Sequence, residues 1–257
     1  MTTSEPGPQP AKSDVWVAPL RRIELAFAQR TWAFAEARRA AVEAHFAAAR
    51  HGKPKLWNGR ILLLHQHAIE REVFRGACLE TDFASFLAWR DWDFPDASVR
   101  NCFGMAALRS SDGAFLLGVM GPHTANAGKC YFPSGSLEPS DIVGNTIDIE
   151  GSIRRELAEE TGLDAGAMEA EPGWYAVFAG ARIAMMKVLQ ARERAEVLRA
   201  RILHHLSQAA EPELVDIRIV RGWSDVDPSM PSHTSAFFEH IWQLNEAGAG
   251  ASRSPPQ

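Results

Sequence analysis

The sequence predicts an α/β fold in which a mixed sheet is flanked by helices and preceded by an α+β segment. Two observations carry this. Short runs rich in β-branched and aromatic residues, bounded by Gly, Pro, Asn and Asp, alternate with longer runs of helical period. A chain of 257 residues that is 46% apolar and 23% charged also has the size and composition to bury a sizeable core. No stretch approaches the roughly 18 consecutive apolar residues of a membrane helix.

Taken in order, residues 1–14 are polar, rich in Pro, Ser and Thr, and read as a disordered tail without the apolar core of a secretion signal. Over 18–51 the chain is rich in Ala, Arg and Glu. Ile23, Phe27, Phe34, Val42 and Phe46 recur there at mostly helical spacing, which predicts one long or two shorter helices. Pro54, Asn58 and Gly59 predict a turn, followed by strands over 60–67 and 69–79. A helix over 82–89 has Thr81 as its cap and Phe83, Phe86 and Leu87 facing inward. The run 91–96 breaks it, and the boundary between an amino-terminal extension (15–98) and the main domain (99–246) is set near Ser98. Strands follow over 99–108 and 115–120 around a turn ending at Gly113, and another over 129–132. A loop then leads to a helix with Asp148 as its cap. The remaining expectations are one or two strands over 174–189, an amphipathic helix over 192–207, a strand over 214–221, a helix over 231–244 and an unstructured tail over 247–257.

The chain concentrates its acidic chemistry on the helix that follows Asp148. Glu156, Glu159 and Glu160 stand at i, i+3 and i+4, and at roughly 100° per residue they share one face. Such carboxylates repel one another by a few tenths of a kcal/mol per pair unless a counter-charge sits among them. A hard divalent cation would supply it, since Mg²⁺ takes oxygen ligands and is held by one or two carboxylates together with substrate phosphates. The alternative is a solvated acidic face. Gly162 as a stop, and Leu157 and Leu163 as a buried side, favour an ordered helix end.

Residues 155–163, Arg-Glu-Leu-Ala-Glu-Glu-Thr-Gly-Leu, resemble the second half of the Nudix box at every fixed position. The family pattern is Gly, five residues, Glu, seven residues, Arg-Glu-aliphatic, any residue, Glu-Glu, any residue, Gly-aliphatic. Gly135 resembles the opening glycine, but the sixth position after it is Asp141 instead of Glu. Arg155 lies 155 − 135 = 20 positions on, where the pattern has 14, so six residues are inserted within 142–147. The resemblance implies a Nudix-type α/β/α sandwich and Mg²⁺-dependent hydrolysis, with Mn²⁺ as an alternative ion. It implies metal ligands Glu156, Glu159 and Glu160, with Glu156 alternatively orienting or deprotonating the attacking water. Arg155 would form an ion pair that fixes a glutamate, with Asp141 as its partner, and Gly135 would bring a backbone carbonyl close to the metal. Ser134 replaces a glycine common in the family. Among Glu211, Glu213 and Asp216, Glu213 is chosen as the extra loop carboxylate. Arg182, a cation in a strand pattern otherwise of Ala, Ile and Met, is assigned to substrate phosphate, with a structural ion pair as the alternative, and Glu138 is assigned to the substrate. Trp174, with Trp89 and Trp92, is a candidate to stack on a base, against the commoner reading of tryptophan as core. No role falls to the histidines.

A formal net charge of −5 argues against a nucleic-acid or acidic-membrane partner, because phosphate backbones demand clustered Lys and Arg. A small nucleoside diphosphate derivative needs only a local basic site, and a homodimer is left open. Three widely spaced cysteines suit a reducing, cytoplasmic compartment. The expected activity is hydrolysis of a nucleoside diphosphate linked to another moiety. The extension, the Leu56-Trp57-Asn58-Gly59 turn and the Ser-Gly-Ser-Leu-Glu-Pro form of the box resemble the branch that includes UDP-glucose pyrophosphatases. The alternative is a non-catalytic nucleotide sensor or interaction protein on the same scaffold, motivated by the interrupted first half of the box.

Overall fold

The computed structural model describes residues 15–54 and 56–251, with side chains as far as Leu244. The expected disorder over 1–14, and over 252–257 of the tail, lies outside the described residues. The architecture is α/β with two mixed sheets.

The first departure from the sequence reading comes at once. Val15–Leu20 (β1) and Arg22–Phe27 (β2) are strands, and helix begins only at Ala33–Ala37 (α1) and Arg39–Gly52 (α2). The helical spacing of Ile23 and Phe27 competes with a period-two reading of Ile23, Leu25 and Phe27, and Pro19 disfavours a helix interior. Tertiary pairing decides it: β1 lies antiparallel to Trp174–Ala179 (β12), and β2 parallel to Val73–Asp82 (β4). Pro19 is tolerated because β1 is an edge strand.

Arg60–Glu70 (β3) and β4 form a hairpin whose tight turn is made by Arg71 and Glu72, both at positive φ. Phe83–Asp91 (α3) follows, capped by Asp82, whose side chain accepts from Ser85 N at 2.8 Å. Thr81, the expected cap, is instead a buried residue of β4. Trp89 and Trp32 anchor a separate core here, their indole N–H groups satisfied by the Asp96 carbonyl at 2.8 Å and the Asp96 carboxylate at 2.7 Å.

The larger sheet is built from Asn101–Arg109 (β5), Phe115–Met120 (β6), Cys130–Tyr131 (β7), Ser134–Ser136 (β8), Glu169–Ala170 (β11), β12, Arg182–Gln190 (β13) and Leu214–Val220 (β14), with β1 at one edge. Its path runs β1-β12-β13-β5-β6-β14, and β13 and β5 are parallel. Ile149–Thr161 (α4) packs on one face: a Cβ on Gly104 would meet Ile153 Cγ1 at 2.5 Å, so glycine sets how closely the helix approaches. Ser232–Ala251 (α6) covers the opposite face, where His233 meets the ring of Phe103, the neighbour of Gly104 in β5. It continues seven residues beyond Leu244 (251 − 244), through the start of the expected tail. Ala195–Gln208 (α5) packs on β14 and α4.

The six-residue insertion is a hairpin of Ile142–Val143 (β9) and Thr146–Ile147 (β10), turned at Gly144 with φ +63°. It closes the smaller sheet, β3-β4-β2-β10-β9, with Phe27 N donating to Asn145 O at 3.0 Å. Leu62 N donates to Leu137 O at 2.7 Å on the same side. The amino-terminal sheet therefore continues directly into the segment between Gly135 and α4. Among the described residues, no helix is long and apolar enough to cross a membrane.

Candidate active site

Helix α4 places the acidic side chains. Asp148 caps its start, accepting from Gly151 N at 2.8 Å, and Gly162 ends it in the left-handed region at φ +69°. Ile149, Ile153 and Leu157 are buried, which turns Glu156, Glu159 and Glu160 toward β8 and the loop before β14. The three glutamates line one cleft of about 200 Å³ with Glu211, Glu213 and His205. Glu213, singled out from its position before the strand, is in that cleft; Asp216 is not, and pairs with Arg199 at 2.7 Å.

Each carboxylate is held differently. Glu156 lies against Gly135, where a Cβ would fall 2.2 Å from its carboxyl carbon. Burial is the main force raising its pKa, to about 7; Arg155 pulls it down, and Glu159 and Glu138 push it up. Glu160 accepts from Ser134 N at 3.3 Å. Loss of water first, then the charges of Glu156 and Glu213, put its carboxyl well above the ordinary range. Arg155 pairs with buried Asp141 and lies 3.1 Å from Glu156 Oε1, the pairing that the motif implies with Asp in place of Glu. That ion pair raises the Arg155 pKa and keeps the guanidinium charged. Glu138 donates its backbone N–H to Asp141 at 2.8 Å, and its carboxyl is raised, chiefly by burial, in the shared field of Arg155, Asp141 and Glu159.

No three acidic, imidazole or thiol groups among the described residues stand in preformed metal-ligating geometry. The donor set still suits a hard cation: several carboxylates, two of them destabilised as anions by burial and by neighbouring carboxylates, face one cleft. A divalent ion is the charge that would let them ionise together.

A second, larger cleft of about 430 Å³ adjoins this one. Ser134, Gly135 and Ser136 line it, and Glu156 and Glu160 touch Gly135 and Ser134, so β8 is the wall between the two. Tyr131 also lines the larger cleft, and its pKa is raised by burial first and then by Glu160 and Glu213, which places it near both. The charges are partitioned. Among the described residues, the larger cleft is lined by Arg90, Lys129 and Arg182 and by no carboxylate, whereas five glutamates and no Lys or Arg line the smaller.

Of the assigned substrate residues, Arg182 lines the larger cleft. Trp174 lines neither: it is buried in β12 opposite Leu20, with Lys187 Nζ 4.9 Å from its ring centroid. Trp89 is fully buried, and Trp92 packs against Phe34 and His45. Sequence reasoning read Phe83 and Phe86 only as inward-facing and passed over Arg90; all three reach the larger cleft from one face of α3. Their i, i+3, i+7 spacing, mixing aromatic rings with a cation, was the available signal. It also gave no role to His205 or to His233, both of which line clefts.

No protein-family model matches the chain, and no curated protein matches it. Among solved structures, it is similar to a Nudix hydrolase from M. smegmatis, RenU, at 13% identity and TM-score 0.36, covering 61% of this chain and 88% of that one. It is similar to the MutT protein from Methanosarcina mazei Go1 at 19% identity and TM-score 0.40, covering 57% of this chain and 96% of that one. A bifunctional NMN adenylyltransferase/ADP ribose pyrophosphatase from Francisella tularensis, complexed with AMP and a Mn ion, is similar at 16% identity and TM-score 0.39, over 62% of this chain and 45% of that one. The likeness is partial in every case, and the chemistry is read from this chain's own residues.

Proposed function

We propose that this chain is a cytoplasmic pyrophosphohydrolase of the Nudix type, cleaving the diphosphate of a nucleoside diphosphate linked to a second moiety. The observation that carries the reading is the pair of clefts of opposite charge sharing the β8 wall. A diphosphate resists water because its negative oxygens repel a nucleophile; a cationic cleft binds those oxygens while an adjoining acidic cleft handles the proton and the metal. Glu156, Glu159, Glu160 and Glu213, with the Gly135 carbonyl, would hold Mg²⁺, or Mn²⁺ in its place. The bound ion would neutralise phosphoryl oxygens and lower the pKa of a water.

Arg155, fixed by Asp141, orients Glu156. Glu156, once ionised, can alternatively take the proton of the attacking water. Arg182 binds a charged group of the substrate in the larger cleft, and Glu138 contributes a carboxyl beside Arg155. The catalytic unit spans 99–246, completed by β1 and by the pairing of the hairpin with β2. Within the substrate class, a nucleotide sugar such as UDP-glucose is the first compound to test. The protein needs no nucleic acid or membrane for this chemistry.

The alternative, a non-catalytic sensor, took its motive from the interrupted box. The insertion folds as a hairpin that leaves the Asp141–Arg155 pair in place, so that motive weakens. Incubation of purified protein with Mg²⁺ and a panel of nucleoside diphosphate derivatives decides between them. Release of two phosphorylated products supports the enzyme, whereas tight binding of one compound without turnover overturns it.

A further inference from the structure

We propose that Arg90, Arg182 and His233 form an anion subsite for a second charged group of the substrate, a phosphate or carboxylate borne by the moiety attached to the nucleoside diphosphate. What supplies the anion rests on the pyrophosphohydrolase reading; the subsite stands on its own geometry. Three parts of the chain build it: α3 brings Arg90, the start of β13 brings Arg182, and the first turn of α6 brings His233.

Among the described residues Arg182 lacks a balancing charge, and the one that Arg90 has lies outside the cleft. Arg182 has no ion-pair partner among the described residues; its guanidinium lies over the Phe94 ring, 4.7 Å from the centroid. Arg90 is paired with Asp91 at 2.9 Å on α3's own end, outside the cleft. Burial first, and Arg90 second, make the Arg182 cation harder to keep. His233 is buried against Phe103, and burial together with Arg182 holds its pKa down to about 4, so a neutral imidazole faces the guanidinium. A half-buried cation beside another cation, with no acid among the described residues lining the cleft, is relieved by an anion entering it.

Position separates this anion from the one being hydrolysed. Gly135, which touches Glu156, pairs with Gly104 of β5, while Arg182 pairs with Asn101. Three residues along a strand span roughly 10 Å at about 3.3 Å each. With the reacting glutamates at the Gly135 level, the scissile diphosphate would bind there, and the arginine pair would meet whatever is attached beyond it. Phe83 and Phe86 flank that end with rings 5.7 Å apart, leaving the attached moiety an apolar surface as well as a charge.

Two measurements test this. In metal-free protein, where the glutamates repel anions, inorganic phosphate is titrated while the His233 imidazole is followed by NMR. A saturable shift, weakened at least tenfold in Arg182→Met, is expected; no shift, or one unchanged in that variant, overturns the subsite. Arg90→Met, on a helix surface, serves if Arg182→Met does not fold. The second measurement compares kcat/KM for three matched substrates: a nucleoside diphosphate sugar, its uronate, and the same sugar carrying a phosphate. An anionic substrate is expected to exceed the neutral one at least tenfold, with the two anionic arms telling phosphate from carboxylate, and Arg90→Met to collapse that ratio toward one. A ratio near one in the natural protein, or equal losses on all three substrates in Arg90→Met, overturns it. Absence of any turnover refutes the hydrolase reading alone, because the phosphate titration still decides the subsite.

Discussion

Gly135→Ala is the sharpest probe of the site, because it adds one methyl group where Glu156 now lies. The new Cβ would sit 2.2 Å from both the carboxyl carbon and Oε1 of Glu156, against 3.4 Å for ordinary contact. The carboxylate must therefore retreat by about 1.2 Å (3.4 − 2.2), while Arg155 at 3.1 Å pulls on the same oxygen. A displacement of about 1 Å at a reacting group costs on the order of 100-fold in rate, or about 2.7 kcal/mol of barrier. Overpacking costs roughly 1–3 kcal/mol of stability, so the variant stays folded at 25 °C. The assay is kcat for Mg²⁺-dependent hydrolysis with a thermal melt alongside. Gly52→Ala, which meets nothing within 4 Å, is the control. If the loss runs through Glu156, Gly135→Ala costs little further in a Glu156→Gln background. A folded Gly135→Ala protein with kcat within about twofold of the natural one would refute the assignment of Glu156 to the chemistry.

Other outcomes follow from the same geometry. Glu160→Gln removes charge without volume, so Mg²⁺-dependent turnover is abolished while the melting temperature of metal-free protein at pH 8 rises; retained activity contradicts its place at the metal. For Glu156 the folded pKa of about 7 exceeds the ordinary carboxyl value of 4.5, so the folded state binds more protons between those values. Metal-free protein should lose stability as pH climbs through that window, by up to about 3 kcal/mol. Denaturant titrations at pH 5 and 8 check this, and Glu156→Gln flattens the difference. Arg155 lowers the Glu156 pKa, so in metal-free protein Arg155→Met moves the Glu156 titration, followed by carboxyl NMR, to higher pH. A titration that stays in place would show that Arg155 does not act on the Glu156 carboxylate.

The glutamate trio was legible because helical periodicity needs only neighbours in sequence, and the two ends of α4 announce themselves in Asp148 and Gly162. Strands β5, β6 and β13 were legible for the same local reason. The strand character of β1 and β2 was not. Val15 pairs with Ala179, and such distant pairing leaves no local trace to set against the Ala-rich run that follows. Trp174 reads identically whether it stacks on a base or lies under Leu20, because a tryptophan's neighbours are set by the sheet. The insertion was more readable than it was taken to be: two β-branched pairs flanking Gly144-Asn145 are the pattern of a two-residue hairpin. The larger cleft was hidden because its cations come from α3, β6–β7 and β13, which meet only in the fold.

That hairpin ties the beginning of the chain to its reactive centre. Asp141, which steadies Arg155, immediately precedes β9, and β10 is bonded to β2. A fragment starting at residue 99 would leave both β12 and β10 with raw, unpaired margins, an invitation to stick to other chains. Substitutions as remote as Ala26 or Phe27 would then be felt through β10 and β9 at the Asp141–Arg155 pair, so the opening segment constrains the chemistry without contributing a reacting atom.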